Sequence, residues 1–167
     1  MSIKQTTLLF ILVINASICP SGWILLESSC YYFSTFKTTG IKAIDVCQRM
    51  GGNLAVPKNI HENDAILKVI QQKSLGTTYI GILMRRNQRK FYTVKGVLPS
   101  FTNWAPGEPR PGGNNNHCVG IRVSGKWNDF SCSQLIPFVC KREITKKCRY
   151  SFFDVDLIWS ELALNIT

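Results

Sequence analysis

The sequence predicts an α+β domain cross-linked by disulfides. Two segments carry helical periodicity, a run of short strands and turns follows them, and seven cysteines are spread over 167 residues. That length makes one ordinary domain with short appendages. Charged side chains are 18% of the chain and hydrophobic ones 45%. This composition excludes intrinsic disorder as the overall class. No apolar run approaches the ~20 residues of a membrane-spanning helix, which excludes a polytopic membrane protein.

The first helix is expected over Gly40 to Met50, with Ile41, Ile44 and Cys47 on one stripe and a glycine stop at Gly51-Gly52. The second starts at Asn59, an N-cap residue type, with Glu62 placed as in a capping box. Ile66, Val69 and Ile70 then recur at helical spacing up to Lys73. Strands are expected at Tyr79 to Leu83, at Phe91 to Val94, and where Val119, Ile121 and Val123 alternate with Gly120 and Arg122. Between the last two lies Pro99 to Asn116, with four prolines, three glycines and three consecutive asparagines. A stretch that long without periodicity is a functional loop or disorder, and Trp104 with the flanking strands favours an ordered loop. No repeat, collagen-like run or heptad stalk is present.

The N-terminus sets the compartment. Lys4, the apolar run Leu8 to Ile14 and the small residues Ala16 and Ser17 describe a secretory signal peptide over residues 1–17. A secreted chain makes Cys19, Cys30, Cys47, Cys118, Cys132, Cys140 and Cys148 a disulfide framework with one thiol left over. Zinc is poorly supported, since no Cys-x-x-Cys pair occurs and only His61 and His117 could complete a site. The formal net charge is +10, and residues 19–142 hold 16 basic against 6 acidic side chains. Outside the cell such a domain meets polyanions, with Arg85 to Lys90 as the densest basic run. That run also reads as a solvated loop.

Glu108-Pro109-Arg110 in the long loop and Trp127-Asn128-Asp129 beyond the next strand supply two carboxylates and an amide oxygen. Calcium takes six to eight such hard oxygen donors, and with open positions it binds vicinal sugar hydroxyls. The same residues suit an ordinary polar turn. Arg110 offers another chemistry, because a guanidinium clamps carboxylate, sulfate or phosphate, here beside Arg122 and Lys126. His117 is expected to be an exposed loop residue, and Trp23 and Trp104 core residues. No nucleophile elbow, zinc-protease helix or phosphate-cradling loop occurs, so an enzyme is not expected.

One ordered set of motifs resembles the C-type lectin-like domains. It comprises Cys19 to Trp23, Cys30-Tyr31-Tyr32-Phe33, and Cys47 followed by Gly51-Gly52-Asn53-Leu54-Ala55. It continues through Tyr79-Ile80-Gly81-Ile82, Asn103-Trp104, Glu108-Pro109, Cys118-Val119, Trp127-Asn128-Asp129, Cys132 and Phe138-Val139-Cys140. The resemblance covers residues 19–142 and leaves 143–167 as a tail of unknown role. It implies the long form of the fold: two short helices, small antiparallel sheets, a long irregular binding loop and three disulfides. The implied pairs are Cys19–Cys30, Cys47–Cys140 and Cys118–Cys132. Within the family, Ala55 to Asn59 with Glu62-Asn63 and Ala65-Ile66 is most similar to the collectins, surfactant protein A in particular, without their collagen region and neck.

The resemblance further implies a secreted carbohydrate-binding lectin with calcium as cofactor. Its metal ligands would be Glu108, Asn116, Asn128 and Asp129, and its sugar-binding residues the same four with Arg110. Arg110 and Asn116 depart from the family pattern, so the site carries less negative charge than usual. An auxiliary calcium site is not expected, because Arg85 to Lys90, Pro111 and His117 offer no carboxylate. The alternative is a calcium-independent lectin-like module for polyanions, lipids or a protein partner. Expected partners are glycans or other extracellular polyanions and a second copy of the chain through Cys148, with neither nucleic acid nor a transmembrane segment. Val155, Ile158, Trp159 and Leu162 share one helical face of the tail, suited to dimerisation or a membrane interface.

Overall fold

A computed structural model of the chain describes residues 19–85, 90–110 and 117–144. The expected signal peptide, most of the Arg85 to Lys90 run, Asn116, Cys148 and nearly all of the tail lie outside the described residues.

Strands β1 (Ile24–Leu26) and β2 (Ser29–Phe33) open the domain. Helix α1 (Gly40–Arg49) follows, then β3 (Asn53–Leu54), helix α2 (Ile60–Gln72), β4 (Thr78–Met84) and β5 (Tyr92–Thr93). Strands β6 (His117–Ile121), β7 (Trp127–Ser131) and β8 (Val139–Glu143) complete it. The strands form two antiparallel sheets, ordered β1-β2-β8-β3 and β5-β4-β6-β7. The fold is the expected α+β arrangement, with all three implied disulfides in place. Cys47–Cys140 joins α1 to β8 across 93 residues, so it removes the most freedom from the unfolded chain. A bridge of this kind contributes about 2–5 kcal/mol.

Helix α1 buries Cys47 and part of Ile44 from the expected stripe, but its buried face is turned away from Ile41. Gly40, Ala43 and Cys47 are buried, whereas Ile41 is 50% exposed. The reason is steric: a Cβ on Gly40 would stand 2.5 Å from Cys118 Sγ, so only glycine lets the helix lie this close to β6. Helix α2 follows the sequence pattern, with Ile66, Val69 and Ile70 inside. Its cap is half of a capping box. Asn59 accepts from the Glu62 N–H at 2.9 Å, but Glu62 turns to the Lys58 N–H and across the core to Lys141 Nζ at 2.9 Å and the Tyr31 hydroxyl. A carboxylate this buried persists because all these donors face it. Val123 is not part of β6 and is 60% exposed, because the chain turns back at Gly125.

Trp127 is fully buried, and its Nε1–H donates to Asn63 Oδ1 at 2.8 Å. Asn63 in turn donates to the Gly125 carbonyl, so α2 holds the β7 end of the β6–β7 turn. Leaving the indole N–H without a partner costs about 1–3 kcal/mol. Asn63→Leu is therefore expected to lower the unfolding free energy by that amount, read as a lower urea midpoint at unchanged slope, and an unchanged midpoint would show the pair to be idle.

The buried Tyr79 hydroxyl lies 3.1 Å from the carbonyl oxygens of Ser131 and Gln134. Burial pushes its pKa up to about 12 from the ordinary 10.0. The folded state thus holds the phenol proton where the unfolded chain releases it. That stability is complete below about pH 10 and is lost as the pH rises toward 12. Alkaline unfolding followed by circular dichroism should show a smaller loss across this window for Tyr79→Phe than for the native chain.

Candidate functional site

The β6–β7 hairpin and the loop before it build the site. The hairpin register places Val119 opposite Asp129, Gly120 opposite Asn128 and His117 opposite Ser131. Cys118–Cys132 ties the two strands together at their open end. The loop is laid along β7 by backbone bonds, Trp127 N–H to Asn103 O at 2.8 Å and Ala105 N–H to Trp127 O at 2.9 Å. The Asn103 amide reaches the Gly125 carbonyl at 2.9 Å, and Lys126 Nζ lies 2.8 Å from Asn103 Oδ1. Trp104 packs edge-on against Trp127 and Phe91. Residues 101–108 thus form an ordered wall. Trp104 is a core residue in part only, and Trp127 is the one sealed inside.

A turn through Gly107, whose φ is 77°, returns the Glu108 N–H to the Ala105 carbonyl, and the Glu108–Pro109 peptide is cis. The Glu108 side chain is 7% exposed and that of Asp129 2%. Four of the residues meet here. Arg110 donates through Nε and Nη2 to Glu108 Oε1 at 3.2 and 2.9 Å, and through its backbone N–H to Asp129 Oδ1 at 2.7 Å. His117 Nδ1 lies 2.7 Å from the other Asp129 oxygen. His117 was expected at an exposed position. Its side chain is 12% exposed, because the first residue of β6 faces Asp129 across the hairpin. The Arg110 guanidinium, offered by the sequence as one candidate anion clamp, is paired with Glu108, two residues away.

Asn128 Oδ1 is buried without a hydrogen-bond partner. An orphaned carbonyl oxygen of this kind suits a hard cation, and each Asp129 oxygen keeps a lone pair beyond its present donor. Glu108 is the contested ligand. No group of three His, Cys, Asp or Glu side chains surrounds a common point among the described residues. The donor set fits calcium on one condition, that Arg110 leaves Glu108. Its side chain is 77% exposed, so solvent takes it up at small cost. Asn103, Asn63 and His117 support the site, although the sequence reading placed none of them among its site residues. Their signal was amide or imidazole chemistry close to the recognised motifs.

The Lectin C-type domain family matches residues 37–142. The chain belongs to this family. Its domain is a binding module rather than an enzyme, of a family whose members act outside the cell. It is 33% identical over 130 residues to the low affinity immunoglobulin epsilon Fc receptor of Mus musculus, covering 77% of this chain and 38% of the receptor. It is also 33% identical over 135 residues to the mouse CD209 antigen-like protein D, covering 78% of this chain and 54% of that protein. The chain thus spans about half or less of the length of these curated relatives. Among solved structures it resembles the cow CD23 carbohydrate-recognition domain, determined in the presence of a GlcNAc2Man3 oligosaccharide. That match has TM-score 0.67 and 32% identity over 76% of this chain and 97% of the other. The mouse scavenger receptor C-type lectin domain matches at TM-score 0.68 and 26% identity, over 76% of this chain and 99% of that one. No collectin stands among these relatives, and the finer likeness to surfactant protein A gains no support from them.

Proposed function

We propose that the chain is a secreted carbohydrate-binding lectin. It would recognise sugar hydroxyls at Glu108, Asn116, Asn128 and Asp129, with Arg110 beside them and calcium held weakly by the first four. One observation carries this reading: the orphaned, buried Asn128 Oδ1 stands on the same strand as the closed-off carboxylate of Asp129. Family membership and the likeness to a domain studied with an oligosaccharide support it.

When bound, calcium would supply open coordination positions for a pair of vicinal hydroxyls. The chain's own residues do the rest. Asp129 is oriented by His117 and the Arg110 N–H, and Glu108 is held within reach by the turn at Gly107. Arg110 competes for Glu108, so the site exchanges an internal cation for an external one. The sum of Glu108, Asp129 and Arg110 is one negative charge, a poor match to a divalent ion. Residues 1–17 would direct export, and residues 143–167, with Cys148, would be the place for linkage to a second copy.

The Arg110–Glu108 pair and the +10 net charge support a second reading, a calcium-independent module for polyanions, lipids or a protein partner. Calcium titration of the oxidised chain by calorimetry separates the two. The lectin reading expects saturable calcium binding that Asp129→Ala abolishes and Arg110→Asn tightens about tenfold, worth roughly 1.4 kcal/mol. Glycan binding should then be lost in EDTA. No calcium binding at millimolar concentration, together with ligand binding that falls steeply with salt, would establish the second reading instead.

A further inference from the structure

A cleft of about 440 Å³ lies on the other sheet, along the β3–β8 edge, and among the described residues shares none with the site above. One wall is Gly51 to Leu54 with Val56 and Lys58, and the other is the turn Thr93 to Lys95 with Val97. Lys141, Arg142 and Glu143 of β8 close it. Its volume is that of a small-molecule pocket, not of a crevice between side chains.

We propose that this cleft is a second binding site, for a small ligand that joins an anionic group to an apolar body. The apolar part of the lining is Leu54, Val56, Val94 and Val97, and Val97 is 60% exposed although it could be covered. The charged part is four cations against one carboxylate. Lys141 is engaged by Glu62 and Glu143, and Lys58 by Glu143, whose field raises the Lys58 pKa. Lys95 and Arg142 form no ion pair among the described residues, and both are exposed. The Arg142 guanidinium lies over Gly51, where a Cβ would come within 3.5 Å of Nη1. At Gly52 a Cβ would meet the Lys141 carbonyl at 2.6 Å, so the floor admits no side chain there.

A second, independent feature marks the same place. Thr93 is 8% exposed, its Oγ1 is buried without a partner, and it lines this cleft. It also lines a smaller cavity of about 120 Å³ with Leu83, Arg85, Tyr92 and Gly96. A buried hydroxyl without a hydrogen bond is stabilised by an acceptor, and rotation of the Thr93 side chain toward the cleft would offer its proton to an anion drawn there by Lys95 and Arg142. A neutral sugar would leave both cations unanswered. A purely apolar ligand would leave the hydroxyl unanswered as well.

The test is an NMR titration of the ¹⁵N-labelled, oxidised chain with monomeric octyl sulfate, octanoate, inorganic sulfate and octan-1-ol. Octyl sulfate and octanoate are expected to give saturable shifts confined to Gly51–Leu54, Thr93–Val97 and Lys141–Glu143. Inorganic sulfate and octan-1-ol should each bind at least about tenfold more weakly, as fits a charge-assisted contact joined to apolar burial. The exposed pair Lys95→Glu with Arg142→Glu should weaken octyl sulfate by about tenfold or more while the rest of the spectrum superimposes on the native one. Thr93→Val should weaken it less, and Asp129→Ala not at all. Equal binding of octan-1-ol and octyl sulfate would overturn the proposal. So would unsaturable shifts spread over the basic surface, or an unchanged affinity in the Lys95 and Arg142 pair.

Discussion

Everything at the end of the molecule that carries Glu108 and Asp129 depends on how Trp127 is buried. Its indole is too large to be covered by β6 and β7 alone, so Phe101 and Trp104 from the irregular loop pack edge-on against it. Its N–H, unable to reach solvent, takes the Asn63 amide oxygen from α2. Its backbone N–H and carbonyl are spent on Asn103 and Ala105 rather than on another strand. One residue therefore fastens a helix and a hairpin to a loop with no periodicity of its own. The next two residues of the chain, Asn128 and Asp129, inherit fixed positions from it. The described part of the loop, up to Arg110, is ordered because its polar backbone finds β7, not because its own sequence prefers a conformation.

Fixing carboxylates near one another creates an electrostatic difficulty, and the residues around them answer it. Glu108 and Asp129 are almost closed off from water, where an unpartnered charge is costly. Arg110 and His117 supply the compensating donors from within the chain. The arrangement is thus stable without a metal, at the expense of metal affinity. An Asn at position 110 would have left Glu108 to whatever cation solution offers. The internal pair is a reason to expect selectivity among ligands by competition, because anything that takes Glu108 Oε1 must first displace a guanidinium that solvent readily accepts.

The sequence made the fold legible for a physical reason: cysteines, glycines and aromatics report constraints that are local in the chain. Asn59 announces a helix start, and Ile66, Val69 and Ile70 announce its buried face, and both are found. Where the partner is distant, the pattern misleads. Ile41 looked like a core residue because α1 was read alone, yet Gly40 sets the contact face by letting Cys118 approach. His117 looked exposed because its neighbour in the chain is a loop, whereas its neighbour in space is Asp129, twelve residues later across the hairpin. Asn63 gave no sign of its role, since an amide on a helix is unremarkable until an indole 64 residues away needs an acceptor. Glu62 looked like half of a capping box and serves instead as the counter-ion of Lys141.

Those last two residues are consecutive, and their divergence explains the layout of the domain. Glu62 reaches the first sheet, where it neutralises Lys141 beneath the anion-favouring cleft and accepts from Tyr31. Asn63 reaches the second sheet, where it holds Trp127 beneath the carboxylate site. Both are buried, and both are set by a helix start that Asn59 fixes through one hydrogen bond. A shift of α2 by one residue that put Asn63 in the place of Glu62 would put Asp64 in the place of Asn63. Lys141 would then lose its counter-charge while the indole faced a carboxylate with no cation beside it. The register of α2 thus sets the charge beneath both surfaces at once, the basic cleft on one sheet and the acidic, guanidinium-covered site on the other.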